Sequence, residues 1–583
     1  MDAEANVQNT IEPTQTNLSE IAQETPVLLE EADVKKNSSF GNGKKKLFAC
    51  LFETGLYVGA FLVALILYLT VKPLIDYQRK GIIAQSVTVC VIAAIIAVIS
   101  YMGATKRLTA NRLVFLLLLI GLMLRIGYVL YSPAATRQHD VYSKNFDAHE
   151  AYAWTIFQTG KLPTTNAYQF YHPPLNAALQ AFFMKFLSGF TDLLTKIFGG
   201  GTYFPDAFQY AKPSYIEDAN RYFLYGGCQI LSILYSFITC VVTLKILKLF
   251  DFSDKIYVGA AAFVILFPRT IQFSGMLNND PVSLMFGILA LYYALKWWKG
   301  GKSLVYILLC AFSVGLGMSA KLSSATVCLP IAGIFICEFV RTLRKKEGSM
   351  KLSKMVLEYA LFLCVCAPIG LWFQVYAKIR FDQSFGYVFS NLNRKLYTGD
   401  KSLFERLIFA FDFSEYFGSI YCRPFEGNYN LFNYSIRSAI FGEFSYWQGE
   451  GFAVAALLLA YMAATLLFVA LIFIAVRYLR ERKTEDFPLR KKTIAFDDLL
   501  FLFLLMQSQA VSEMYFYVTM PYGCTMDFRY IMPIIPAIAL TLGYAHKALV
   551  TSKGKVALAI DRLLMITTAG FLICSSLFYC VCI

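Results

Sequence analysis

Long apolar runs dominate this chain, each near the roughly 20 residues that a helix needs to cross the hydrocarbon core of a bilayer. Such runs lie at 47–72, 81–102, 112–131, 221–249, 255–272, 280–299 and 303–319. They continue at 322–342, 354–380, 452–478, 497–519, 530–550 and 559–582. The expected fold is an all-α polytopic membrane protein with about 13 transmembrane helices. Composition points the same way, with 57% of the 583 residues hydrophobic and 16% charged. A soluble domain runs near half apolar and a quarter charged, so a soluble multidomain enzyme is excluded. The formal charge of +14 is spread over many short loops rather than gathered in one patch, so no nucleic-acid partner is expected.

Basic residues assign sides, because cytoplasmic loops are enriched in Lys and Arg. Clusters occur at Lys106-Arg107, Lys245 to Lys255, Lys296 to Lys302, Arg341 to Lys354, Arg477 to Lys492 and Lys547 to Lys555. One further apolar segment, 174–198, carries Lys185, Asp192 and Lys196 and runs into Gly199-Gly200-Gly201. Were it to span, every later cluster would move outside. Laid along the outer interface as an amphipathic juxtamembrane helix, it leaves all of them inside. The N-terminus is then cytosolic and the C-terminus outside; the loop with Lys72, Arg79 and Lys80 is the exception.

The organisation that follows is a cytosolic tail at 1–46 without a signal peptide, read as disordered, then an N-terminal hairpin at 47–111. A transmembrane module at 112–380 with an outer loop at 132–220 comes next, then an outer segment at 381–451 and terminal helices at 452–583. The 14 cysteines fall mostly inside apolar runs and lack metal-ligand spacing, so they read as small buried hydrophobes. Cys422 and Cys524 are in outer segments, where a disulfide between them stays open.

The outer loops hold the chemistry. Arg137-Gln138-His139-Asp140 follows the third span, and Asp147, Glu150 and His172-Pro173-Pro174 come after it. An acid immediately outside a span can act as a base at a low-dielectric boundary, or can be a solvated interfacial acid. His139, His149 and His172 are three of the four histidines and share this loop; their spacing matches no zinc pattern. The double proline suits a helix start, which also favours anions. Asn278-Asn279-Asp280-Pro281 reads as a helix cap with Pro in the first turn, and Lys321 as a snorkelling lysine or a phosphate contact. Asp527 and Arg529 open the next-to-last span, where a local ion pair would explain them, and Arg221 begins another. Polar groups gathered at one membrane boundary mark a site.

In this order of motifs the chain resembles the membrane-embedded GT-C glycosyltransferases of family 39, the protein O-mannosyltransferases and the aminoarabinose transferase, in their bacterial form. The likeness is carried by an acid in the first outer loop, His172-Pro173-Pro174-Leu175, a span led by Arg221, Asn278-Asn279-Asp280, Lys321-Leu322-Ser323 and Asp527-Phe528-Arg529-Tyr530. It implies a GT-C-like catalytic module and inverting transfer of a sugar from a polyprenyl-phosphate-linked donor on the outer face of the plasma (cytoplasmic) membrane. Asp140 would be the catalytic base, with Asp147 and Glu150 as alternatives, because mannosyltransferases of the family carry adjacent Asp-Glu there. His172, Arg221, Lys321 and Arg529 would bind the donor phosphate, and His139, Asn279, Asp280 and Asp527 would shape the sugar or acceptor pocket. The partners implied are the lipid-linked sugar, membrane lipid, and an acceptor that is protein, lipid or glycan. No metal ligand is assigned and no cofactor is firmly implied, although Asp140 and Asp280 could share a divalent cation.

The alternative is a polytopic transporter or lipid flippase, which would place ionisable residues in mid-membrane. Glu53, Arg125, Arg269 and Glu513 are its candidates. They form no obvious relay.

Overall fold

The computed structural model describes residues 39–78, 81–198, 218–345, 348–388, 394–422, 427–483, 494–552 and 554–582. Most of the tail expected at 1–46, the three-glycine stretch and part of the outer segment fall outside these. The described residues are helical, with no strand among them and one isolated bridge, between Tyr397 and Tyr522. They belong to two compact units, one ending at Gly55 and one beginning at Leu56. The first unit holds the start of α1 (Ser39–Thr70), and the second holds everything described below.

Short α2 (Lys72–Gln78) leads into α3 (Gly81–Ala104) and α4 (Ala110–Tyr131). Two helices follow in the loop 132–220, α5 (His149–Thr159) and α6 (Leu175–Phe198). The next group is α7 (Ala219–Gly227), α8 (Gln229–Leu247), α9 (Asp254–Leu266), α10 (Pro268–Phe273), α11 (Asp280–Lys299) and α12 (Leu304–Ala320). Then come α13 (Cys328–Leu343) and α14 (Leu352–Phe381), and in the second outer segment α15 (Leu403–Leu407), α16 (Ser414–Phe417) and α17 (Leu431–Phe441). The chain finishes with α18 (Glu450–Lys483), α19 (Phe496–Thr519), α20 (Ile535–Thr551) and α21 (Lys555–Val581). Among the described residues, 10 helical stretches are long and apolar enough to cross a membrane. The three remaining apolar runs are α11, the 17-residue α12 and the pair α9–α10. All thirteen expected runs are therefore helical, and the protein is a multi-pass membrane protein.

The run 255–272 is broken by Pro268, which holds Phe267 extended at φ −62°, ψ 122°. The break releases the carbonyl of Ile265 from its helical donor. Buried Arg125 takes it up at 3.1 Å and also bonds Ser236, Cys240 and Thr270. Arg125 is thus satisfied as a strut between helices.

Chain path and hydrogen bonds together separate the two ends of the bundle. At one end Lys299 meets Asp498 at 2.6 Å and Arg341 meets Asp497 at 2.5 Å, joining the loops that carry the basic clusters. At the other, Gln138 clamps the first loop to the turn before α11, donating to Gly275 O at 2.6 Å and accepting from Leu277 N at 3.1 Å. A Cβ at Gly275 would come within 2.7 Å of the Tyr128 ring, so only glycine allows this approach. The start of α6 belongs to this second end, because Asn176 and Gln180 donate to Leu277 O. The chain resumes there as well: Arg221 near the start of α7 pairs with Glu150 of α5. Helix α6 packs along α5 and α7.

Candidate active site

A cavity of about 1000 Å³ opens at the second end, lined by the loop after α4, the start of α11, the turn after α12, the end of α19 and the segment before α20. Among the residues singled out from sequence, Asp140, His139, His172, Asn279, Asp280, Lys321 and Arg529 all line it. These residues are separated by up to several hundred positions in the chain. Folding brings them to one wall-and-floor arrangement.

Asp140 is in the left-handed region, at φ 53°, which aspartate tolerates better than most residues. Its carbonyl accepts from the His149 amide at 3.2 Å, and the next residue, Val141, accepts from Glu150 N at 3.0 Å. Those two bonds tie the loop to the first turn of α5 and leave the Asp140 side chain exposed. Tyr168 Oη donates to its carboxylate at 2.7 Å. A fixed, solvent-reachable carboxylate with one oxygen still available has the geometry of a general base.

The cationic part of the cavity is built on Asp280, the first residue of α11. Lys321 donates to it, and Arg529 Nη1 approaches its other oxygen at 4.0 Å. Tyr530 backs both cations: Lys321 Nζ lies 5.0 Å from its ring centroid, and Arg529 donates to its hydroxyl at 2.7 Å. Asn279 occupies the cap position of α11 without a side-chain capping bond, and Asn278 instead accepts from Asp280 N at 3.2 Å. Three cations, Lys321, Arg529 and Arg269, face the two carboxylates Asp280 and Asp527, leaving positive charge for an anion in the cavity.

His149 and His172 stack with ring centroids 5.6 Å apart and 16° between planes. Burial, first of all, lowers the His149 pKa to about 4, and it pushes His172 well below the usual range, aided by His149, Lys321 and Arg529. Both rings are therefore neutral at physiological pH. His172 can donate a hydrogen bond to a phosphate but brings no charge, so Lys321 and Arg529 carry the electrostatic part.

Four residues singled out from sequence do not line the cavity. Arg221 and Glu150 pair bidentately with one another, and the Arg221 guanidinium lies over Phe146 at 3.6 Å. That pair braces α7 against α5. Asp147 contributes a backbone carbonyl that accepts from Gln169 at 3.0 Å. Asp527 is fully buried behind the wall, where Arg269 donates to both of its oxygens at 2.6 Å. The local ion pair expected between Asp527 and Arg529 is present at 3.7 Å, and Asp527 also accepts from the Arg529 amide at 3.0 Å, but Arg269 is the closer partner. Cys422 and Cys524 are both free thiols.

Other residues line the cavity that were not assigned to a transferase site from sequence, although Glu513 was noted there as a candidate for a transporter. Tyr168 holds Asp140, Glu513 accepts from Ser435 at 3.1 Å, and Glu443 faces His139 at 3.3 Å. Glu443 lies just before the span of α18, the same placement that drew attention to Asp140, so that criterion would have found it. Burial and the neighbouring Asp527 raise the Glu443 pKa to about 8. His139, Glu443 and Asp527 offer three ligand atoms within 4.8 Å of one another and could hold a metal ion.

Fold and site together define an all-helical multi-pass membrane protein with a mixed acidic and cationic cavity at one end of its bundle. Residues 227–372 match the family described as dolichyl-phosphate-mannose-protein mannosyltransferase, about a quarter of the chain. The matched stretch runs from α7 into α14 and includes Asn279, Asp280 and Lys321. It agrees with the likeness to family 39 seen in the motifs and supports a glycosyltransferase. No curated protein matches the chain.

Proposed function

We propose that the protein is an inverting glycosyltransferase that takes a sugar from a polyprenyl-phosphate donor and delivers it to a hydroxyl-bearing acceptor at the outer face of the membrane. The observation that carries this reading is the pairing, in one cavity, of exposed Asp140 with the Lys321–Asp280–Arg529 cluster. The family match over 227–372 supports the donor class. The basic loops at the opposite end of the bundle support an outward-facing cavity and a cytosolic N-terminus, by the inside preference of Lys and Arg. The plasma membrane is the proposed location.

In the proposed step the acceptor hydroxyl gives its proton to Asp140 as its oxygen bonds to the anomeric carbon. The bond from that carbon to the phosphate oxygen breaks on the opposite face, and its electron pair leaves with the polyprenyl phosphate. Lys321 and Arg529 compensate the charge that develops there, and neutral His172 donates to a phosphate oxygen. A lipid phosphate is already a good leaving group. Position, charge compensation and exclusion of water therefore supply most of the acceleration.

The test is transfer by full-length protein in nanodiscs supplied with radiolabelled polyprenyl-phosphate sugars and a panel of peptide, lipid and glycan acceptors. Release of polyprenyl phosphate dependent on Asp140, without any ion gradient, is the expected result. Movement of lipid between leaflets with the sugar–phosphate bond intact would instead make the protein a flippase.

A further inference from the structure

We propose that His139, Glu443 and Asp527 bind one divalent transition-metal cation, of the Zn²⁺ or Mn²⁺ class, in the cavity wall. One ligand atom from each lies within 4.8 Å of the other two. Ligands about 2.0–2.2 Å from a zinc ion are separated from each other by roughly 3–3.5 Å, so small side-chain rotations close the set. His139 Nε2 stands 3.5 Å from Asp527 while Nδ1, the other ring nitrogen, faces Glu443 at 3.3 Å, so Glu443 must turn from Nδ1 to meet a metal held by Nε2.

Two independent features make this more than neighbouring acids. His139 is only 8% exposed, and its Nε2 has no hydrogen-bond partner although it is aimed at the cluster. Such a buried orphan nitrogen costs stability unless something fills its lone pair or takes its proton. Glu443 and His139 are also held from behind, as metal ligands usually are, whereas Arg269 bonds both oxygens of Asp527, including the one that faces His139. Tyr434 Oη donates to the far oxygen of Glu443 at 2.6 Å, and the Phe444 ring packs on His139 at 4.7 Å between centroids. Gly442, at φ 62°, permits this approach, since a Cβ there would overlap the Arg269 guanidinium.

The donor set selects the metal. One imidazole with two carboxylates suits Zn²⁺ or Mn²⁺, whereas Mg²⁺ and Ca²⁺ prefer oxygen alone. Three protein ligands leave an open position. His139 and Glu443 line the cavity while Asp527 lies behind it, so that position faces inward. The guanidiniums of Arg269 and Arg529 reach Asp527 at 2.6 and 3.7 Å, so binding should be weaker than at a closed four-ligand site.

Full-length protein in nanodiscs, stripped with a chelator, is titrated calorimetrically with ZnCl₂, MnCl₂ and MgCl₂. The expectation is one Zn²⁺ or Mn²⁺ per chain and at least tenfold weaker Mg²⁺. Glu443→Gln, which keeps an acceptor for Tyr434, and His139→Ala should each weaken binding more than tenfold. His546→Ala, at a separate His–carboxylate pair with Asp561, should leave it unchanged. Zinc binding unaltered by both Glu443→Gln and His139→Ala, or no binding by wild type whose thermal transition is intact, overturns the site. Should either variant fail to fold, Mn²⁺ electron paramagnetic resonance of wild type decides, with nitrogen hyperfine coupling required. Binding is read without turnover, so it stands or falls separately from the transferase reading.

Discussion

Tyr168 holds Asp140 by a 2.7 Å hydrogen bond while the carboxylate remains exposed to the cavity. The two residues come from different parts of the first outer loop. This relationship separates chemistry from stability at that position. Asp140→Asn should reduce transfer by about 10²–10⁴-fold, the usual scale for a general base, with expression and thermal transition within error of wild type. The assay is single-turnover release of polyprenyl phosphate in nanodiscs. Transfer retained in this variant would remove Asp140 from the mechanism.

Lys321→Met should lower kcat/KM by about 10²–10³-fold, as expected when one preorganised cation is taken from a developing phosphate charge. Lys321→Arg should recover part of it, because charge at Asp280 is restored. Steady-state kinetics with varied donor concentration check both. An unchanged kcat/KM in Lys321→Met would place the donor phosphate elsewhere.

The Arg269–Asp527 pair should be structural before anything else. Removing one partner of a fully buried, bidentate pair costs about 3–5 kcal/mol, because the other charge is left uncompensated. Arg269→Ala is therefore expected to collapse the yield of folded protein. Arg269→Met with Asp527→Asn should be milder than Arg269→Ala alone. Size-exclusion profiles and thermal melts give the comparison.

His149 makes the outer loop acid-sensitive. Its folded pKa of about 4 lies below the ordinary value of 6.5, so the unfolded chain binds a proton first as pH falls. The contribution of the neutral ring is fully present above about 6.5 and is lost progressively down to about 4, on the order of 3 kcal/mol in all. His172 acts in the same direction. Melting temperature measured between pH 7 and 4 should fall less steeply in His149→Gln than in wild type. Parallel curves for the two proteins would contradict the assignment.

Much of the architecture is legible from local runs of residues. The helical spans follow from apolar stretches, and the two ends of the bundle follow from where Lys and Arg fall. The bonds of Asn176 and Gln180 place the start of 174–198 at the cavity end of the bundle, as does the pairing of Arg221 with Glu150 for the chain that follows. Asp140, His172, Asp280, Lys321 and Arg529 could be singled out because each is polar at a helix end. What each of them touches could not be read that way. Arg221 looked like a phosphate ligand and is consumed by Glu150, and Asp527 keeps its expected contact with Arg529 but is gripped more closely by Arg269, which the local sequence did not point to. Glu443 drew no notice among the aromatics around it.

Transfer of side chains from water to hydrocarbon is decided over about 20 consecutive residues, so the primary structure settles how many helices form and which loops share an end. Pairing is decided by packing between segments far apart in the chain, 258 positions for Arg269 and Asp527. A buried charge takes whichever partner the assembled helices present at hydrogen-bonding distance. Only the tertiary structure, through that choice, leaves Asp140 open to the cavity and ties Arg221 to Glu150.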